Sequence, residues 1–359
     1  VGRGQASVLA FLLELGAGAR GRAAEPPWAL GPFVKDGAAN PILMPSAEGT
    51  FPCPIRRSAV RWEELAIYNP AAVVREGQVF LVYRAQDKDG TSRLGLATSR
   101  DGVRFARGPQ PVLYPDEDAR KRDEWPGGCE DPRLVEDEHG GYVLTYTAYD
   151  GAKARLAVAT SKDLRRWTKH GLAFGEKHRA SWSKSGAIVC RWKGARCVAA
   201  RVAGRYWMLW GDTSIFAATS GDLLAWTPIL GEDGKPAPVV APRPGRFDSE
   251  LVEPGPPAFL TDHGIVLLYN ARNAARGAGD PYLPEGAYAA GQVLLDAKDP
   301  RRVLARTEEG FLRPDLGHEK QGQVPNVVFV EGLVPFAGRW RLYYGTADSR
   351  LAVASAPVH

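Results

Sequence analysis

The sequence predicts an all-β chain folded as a five-bladed β-propeller. Three observations carry this reading. Short apolar runs of about five to seven residues, bounded by Gly, Pro, Asn and Asp turns, recur along the chain with no long helical period between them. One pattern repeats: a polar residue opens an apolar run, a Gly turn follows, a second run ends in an aromatic residue, and a third is built of small residues. The aromatic ends Tyr83, Tyr146, Trp210, Tyr269 and Tyr344 stand roughly 60 to 75 residues apart, the length of four strands and their turns. A β-sandwich would need no such repeat.

In chain order, residues 1–27 read as a secretory leader or a disordered start. Arg3 precedes the apolar stretch Val8 to Ala19, interrupted by Glu14, and Ala23-Ala24 supplies small residues for cleavage. A leader implies a secreted or periplasmic protein; without one the protein is cytoplasmic. Residues 28–359 read as one catalytic domain. The stretch Trp28 to Trp62 either packs on the propeller or completes a blade. The first copy of the repeat opens at Asn69 and continues through Gln78–Arg84 and Leu94–Ser99. The second opens at Asp131, with Tyr142–Tyr146, Leu156–Ser161 and Trp167. The third opens at Ser185, after Lys184, with Tyr206–Trp210, Ala217–Ser220 and Trp226. The fourth opens at Glu253 and continues through Ile265–Tyr269. The fifth opens at Asn326, with Trp340–Tyr344 and Leu351–Ala354. The triplet Ala-Thr-Ser in three copies, each before a charged or Gly turn, argues against chance.

Composition narrows the function. A chain of 359 residues with 44% hydrophobic and 24% charged residues can bury a large core. The net charge is only +5 and the basic residues are scattered, so no nucleic-acid face is expected. No segment after the N-terminal stretch reaches the length of a membrane span. The four cysteines show no metal spacing and the six histidines form no HExxH or HxH pattern, so no metal and no cofactor are expected. Cys190 and Cys197 flank a hairpin and can face each other across it. The mixed-sign run Asp116 to Glu124 reads as a solvated loop without a chemical role.

In a propeller the first strand of each blade lines the axis. The five openers, Asn69, Asp131, Ser185, Glu253 and Asn326, are then polar groups gathered at one mouth. Buried polar groups need a partner or a ligand. Crowded carboxylates push one pKa up and suit an acid beside a base. Arg84, Gln86, Asp87, Asp212, Asn270 and Asp348 end second strands nearby, and Trp125 and Trp182 lie in adjacent loops. Carboxylates, amides, an arginine and aromatic faces suit a neutral polyol. Nothing resembles a nucleophile elbow, a P-loop or a dinucleotide fingerprint.

At Tyr68-Asn69-Pro70-Ala71, Tyr83-Arg84-Ala85-Gln86-Asp87, Gly128-Cys129-Glu130-Asp131-Pro132-Arg133, Glu253-Pro254-Gly255-Pro256-Pro257 and Tyr344-Gly345-Thr346-Ala347-Asp348 the sequence resembles glycoside hydrolase family 130, whose members act on β-mannosides. The resemblance implies a general acid at Asp131, its proton relayed through a substrate hydroxyl. It implies sugar contacts from Asn69, Arg84 and Asp348, more weakly from Asp87 and Arg133. The family contains phosphorylases and hydrolases. A phosphorylase needs cations where the anion sits. Here the third copy reads Trp210-Gly211-Asp212 and the fourth Leu251-Val252-Glu253, acids in both places. This resembles the β-1,2-mannosidase branch, with Glu253 as principal base and Asp212, one methylene shorter than the Glu usual there, as its helper. Lys184 is the cation that keeps phosphorolysis open. The expected activity is inverting hydrolysis of a β-mannoside oligosaccharide. The alternatives are a phosphorylase yielding mannose 1-phosphate and a non-catalytic sugar-binding propeller. A furanosidase fits the Gly255-Pro256-Pro257 and Tyr344–Asp348 pieces poorly.

Overall fold

The computed structural model describes residues 26–275 and 277–358. The apolar stretch read as a leader lies outside them. Within them the chain is almost entirely β, with only four-residue α-helices at Lys121–Glu124 and Gly317–Lys320 and a short 3-10 turn at Glu176–His178.

Five antiparallel groups of strands follow one another. The first is Ala66–Arg75, Gln78–Gln86, Ser92–Ser99 and Ala106–Arg107. The second is Gly128–Glu136, Tyr142–Tyr149, Ala154–Ser161 and Thr168–Leu172. The third is Ala187–Ile188, Arg205–Trp210, Phe216–Ser220 and Trp226–Pro228. The fourth is Leu251–Pro254 with Phe259–Thr261, then Gly264–Arg272, Tyr288–Leu295 and Val303–Arg306. The fifth is Val328–Phe336, Arg339–Thr346 and Arg350–Pro357. Its outer strand is Val34–Lys35, so part of the Trp28 to Trp62 stretch completes a sheet and ties the two ends of the chain together.

The repeated Ala-Thr-Ser triplet has a local cause. In three units the Ser hydroxyl donates to an Asp two residues on: Ser99 to Asp101, Ser161 to Asp163 and Ser220 to Asp222. The same hydroxyl accepts the backbone N–H three residues on, at 2.8–2.9 Å. Each triplet therefore ends a strand and folds its own turn.

The first two strands of the groups, with the turns that lead into them, make contact from each group to the next around a ring. Asn69 donates to Asp131 across the first and second groups. Thr145 of the second donates to the Gly186 carbonyl of the third, and Ser185 of the third donates to Glu253 of the fourth. Asn270 of the fourth exchanges hydrogen bonds with Val330 of the fifth. Gly332 of the fifth closes against the first; a Cβ there would stand 2.6 Å from the Pro70 carbonyl oxygen. Single parallel pairings link the sheets further, yet no sheet closes on itself among the described residues. The hairpin Cys190–Lys193 with Arg196–Ala199 pairs with both Phe259 and Glu136, and its Trp192 packs on Phe259 and Trp340. Cys190 and Cys197 are free, buried thiols in contact.

The charged run ending at Glu124 corrects the sequence reading. Asp123 and Glu124 are buried, and Glu124 accepts from Tyr146 Oη at 2.8 Å and Lys169 Nζ at 2.5 Å. The arrangement recurs. Tyr83 donates to Glu63, which pairs with Arg107. Tyr269 donates to Asp248, which pairs with Arg243 and Arg306. Tyr344 donates to Glu319, which pairs with Lys35. The aromatic residues that mark the repeat are thus one end of a tyrosine–carboxylate–cation latch in four of the five groups. In the third, Trp210 stands at this place.

Candidate active site

Four of the five polar residues read as openers share a backbone conformation, Glu253 being the exception. Asn69, Asp131 and Ser185 have φ of 51°, 48° and 60°. The left-handed region is costly for residues with a side chain, and here it coincides with bulges between Tyr68 and Pro70 and between Glu130 and Arg133. Each bulge turns one side chain out of the strand's alternation and toward its neighbours in the ring. The fifth strand has its bulge between Val330 and Gly332, at Glu331. The sequence reading placed the fifth opener at Asn326, which lies ahead of that strand with φ 60°.

These bulges gather most of the expected site. Asp131 accepts from Asn69 Nδ2 at 2.9 Å and from Arg84 Nη1 at 3.0 Å. Arg84 also donates to Glu130 at 2.5 Å. Lys184 Nζ stands 3.4 Å from Asp131 Oδ2 and 3.5 Å from Glu253 Oε1. Glu253 accepts a close hydrogen bond from Ser185. Asp212 accepts from the Trp182 indole at 2.8 Å, and its charge acts on both Lys184 and Glu253. Asp348, itself at φ 48°, is close enough to feel Arg84, Asp131, Lys184 and Glu253. Asn69 Oδ1 is buried and has no hydrogen-bond partner among the described residues.

Three nearby residues do other work. Asp87 is held by Arg93 at 2.8 Å and by the backbone N–H groups of Asp89 and Thr91, which shapes a turn. Arg133 is buried and donates to the carbonyls of Asp131, Pro254 and Gly255, so it frames the site from behind. Asn270 is engaged with the Val330 backbone.

Charge sets the protonation pattern. Burial works to raise Asp131, but Arg84, Lys184 and Arg133 outweigh it and hold this carboxyl well below the usual range. Burial raises Glu253 and Glu130, with Lys184 and Arg84 respectively opposing. Burial, with Asp131 and Glu253 adding, pushes Asp348 up to about 6 against the pull of Arg84 and Lys184. Lys184 stays charged because Glu253, Asp131 and Asp212 overcome its desolvation.

Glu331 was missed in the sequence. It is fully buried, both carboxylate oxygens lack a hydrogen-bond partner among the described residues, and Arg133 Nη1 stands 3.5 Å away. Burial pushes it well above the carboxylate range. The available signal was a lone acid breaking an apolar run, Val327 to Val330 before it and Leu333-Val334 after.

Known proteins share both the sequence and this architecture. A 1,2-β-oligomannan phosphorylase from Thermoanaerobacter sp. (strain X514) is 34% identical over 326 residues, covering 88% of this chain and 94% of that protein. A β-1,2-mannobiose phosphorylase from the same organism is 29% identical over 311 residues, covering 82% and 90%. The structure of a glycosyl hydrolase from Bacteroides ovatus superposes with a TM-score of 0.90 at 46% identity, covering 93% of this chain and 97% of that one. Another, reported with the finding that the family of mannoside phosphorylases contains glycoside hydrolases that target β-1,2 mannosidic linkages in Candida mannan, gives 0.90 at 44% identity, covering 93% and 98%. The family model described as β-1,4-mannooligosaccharide phosphorylase matches residues 40–359, and on that match the chain belongs to glycoside hydrolase family 130, enzymes acting on β-mannosides.

Proposed function

We propose that the protein is an inverting hydrolase of β-1,2-linked or related β-mannosides, and that its five antiparallel groups are the blades of a propeller whose axis passes through the Asp131–Lys184–Glu253 cluster. The observation that carries the hydrolase reading is the charge of that cluster. Glu130, Asp131, Asp212, Glu253 and Asp348 surround Lys184, whose ammonium already stands between Asp131 and Glu253. A phosphate anion entering there meets more carboxyls than cations. A water molecule meets acceptors that polarise it. The hydrolase relatives at 44–46% identity support the same reading.

Asp131 protonates the departing sugar through a substrate hydroxyl, and Glu253, helped by Asp212, takes the proton of the attacking water. One ammonium stands 3.4 Å from Asp131 and 3.5 Å from Glu253, so the two carboxyls face a common space, and inversion needs that space to admit a water between them. In the empty site the two shifts run against these roles: Arg84, Lys184 and Arg133 hold the Asp131 carboxyl low, and burial raises that of Glu253. A sugar hydroxyl that enters between Lys184 and Asp131 reverses this: Asp131 loses a cation, and Lys184 is left to Glu253. Asn69, Arg84 and Asp348 hold the sugar, with Asn69 Oδ1 free to accept a hydroxyl.

Phosphorolysis is the second reading. Lys184 and the phosphorylase relatives favour it. Incubation with β-1,2-mannobiose, with and without phosphate, separates the two. Free mannose at a phosphate-independent rate is expected. Mannose 1-phosphate formed only with phosphate would overturn the hydrolase reading. The direction of proton transfer is read with an activated aryl β-mannoside, on which an acid variant keeps its rate and a base variant does not.

A further inference from the structure

The third group lacks the latch of the other four, and register shows how. Arg107 pairs with Ala97 and Lys169 with Ala159, each supplying the latch cation opposite the Ala of an Ala-Thr-Ser triplet. The equivalent partner of Ala218 is Pro228. The tyrosine is replaced by Trp210. Among the described residues no strand-paired cation and no tyrosine hydroxyl stand at this place; the lysine that lines it, Lys235, comes from a loop. In their place is a cleft of about 720 Å³ walled by Phe174, Trp182, Trp210, Phe216, Pro228 and Leu230.

Two further features mark the cleft as a ligand site. Trp210 is 4% exposed, and its indole N–H has no hydrogen-bond partner among the described residues. A buried donor left unpaired is costly and invites an acceptor. Trp182 is 49% exposed, so an aromatic face is open to solvent at the cleft mouth. The cleft is also continuous with the candidate active site. Asp212 lines it while accepting from Trp182, and the next residue back, Gly211, donates its N–H to the Lys184 carbonyl at 2.9 Å.

We propose that this cleft binds sugar residues of the mannoside lying beyond the two that flank the cleaved bond, an inference that rests on the mannoside reading above. Aromatic walls with a few polar groups suit the mixed faces of pyranose rings, and the volume admits more than one. The lining carries charges of both signs, Asp212 and Lys235, which suits a neutral occupant.

The test compares kcat/KM for β-1,2-mannotetraose and β-1,2-mannobiose in the wild type, Trp210→Phe and Leu230→Asp. Trp210→Phe removes the donor and keeps a ring; Leu230 is exposed, so its replacement spares the core. The wild type is expected to prefer the tetraose, and each variant to lose about tenfold of that preference, the scale of one hydrogen bond. A wild type without chain-length preference, or variants that keep it, would overturn the proposal. If neither sugar is turned over, the mannoside-hydrolysis reading fails separately, and tryptophan fluorescence decides the cleft. Saturable mannotetraose binding weakened in both variants supports it. Absent binding, unaltered binding, or equal binding of an alkyl mannoside would overturn it.

Discussion

Buried carboxylates occupy two regions of this protein and are treated in opposite ways. At the latches, Glu63, Glu124, Asp248 and Glu319 each receive one tyrosine hydroxyl and at least one cation. At the proposed axis, Asp131, Glu253, Glu331 and Asp348 share Arg84, Arg133 and Lys184 and act on one another. Burial is comparable, so burial alone does not define an active site. The difference is sharing: each latch carboxylate has its own tyrosine and cation, whereas the second set divides three cations among four acids, and both oxygens of Glu331 lack a hydrogen-bond partner among the described residues. The latches serve the structure; the shared set is where we place the reaction.

The largest expected effects separate the two regions. Asp131→Asn and Glu253→Gln are expected to lower kcat on β-1,2-mannobiose by about 10²–10⁴, the range of one acid or base. Their melting temperatures are expected to shift less than that of Glu124→Gln. If an axial variant loses as much stability as the latch variant, the division into two kinds of carboxylate breaks. Glu124→Gln leaves the Lys169 ammonium, 12% exposed, beside a neutral amide. Stranding a buried charge costs about 3–5 kcal/mol, measurable by denaturant titration. The kcat/KM of the folded variant is expected to stay within about twofold of wild type.

A smaller effect sharpens the axial side. Asp348 titrates near 6, so its charge is lost as pH falls through that value. An ionised Asp348 accepts sugar hydroxyls and a protonated one accepts them less well. The kcat/KM profile is therefore expected to fall on its acid side with an apparent pKa near 6, and Asp348→Asn to remove that limb. A limb that survives in the variant assigns the titration to another group, Glu253 first.

How much of this was legible in sequence depended on whether a residue announces itself locally. The repeat did, because strand period, turn chemistry and the Tyr or Trp anchors are short-range signals. The axial acids Asp131 and Glu253 did, because each opens an apolar strand. The latch acids did not. Glu124 closes a mixed-sign run, and only the ring of Tyr146 and the amine of Lys169, brought in by strand pairing, explain its burial. A regularity was present: Glu63, Glu124, Asp248 and Glu319 stand five to seven residues ahead of Asn69, Asp131, Glu253 and Asn326. Asp87 was legible only as a neighbour of Arg84 in the chain; its bonds to Arg93 and to the Thr91 N–H come from a turn that strand pairing builds. The outer strand Val34–Lys35 was ambiguous because two residues carry no period.

The smallest expected effect concerns Glu331, the most buried axial acid, and it appears only in a pH series. Burial favours its neutral form in the folded protein, and Arg133 at 3.5 Å opposes this only in part. The unfolded chain releases this proton near the ordinary glutamate value. Between that value and the raised folded one, the folded state holds a proton that the unfolded state has lost. Stability from this group is complete below the ordinary value and falls as pH rises. Glu331→Gln is neutral at every pH and nearly the same shape as the protonated acid, so it has no such slope. The variant and wild type are expected to match at pH 5, and the variant to be more stable by on the order of 1 kcal/mol at pH 8, in urea titrations at both values. A variant less stable than wild type by a constant amount would mean that Glu331 is ionised and paired with Arg133. The axial acids would then be satisfied after the manner of the latches, and the contrast between the two regions would narrow to Asp131, Glu253 and Asp348.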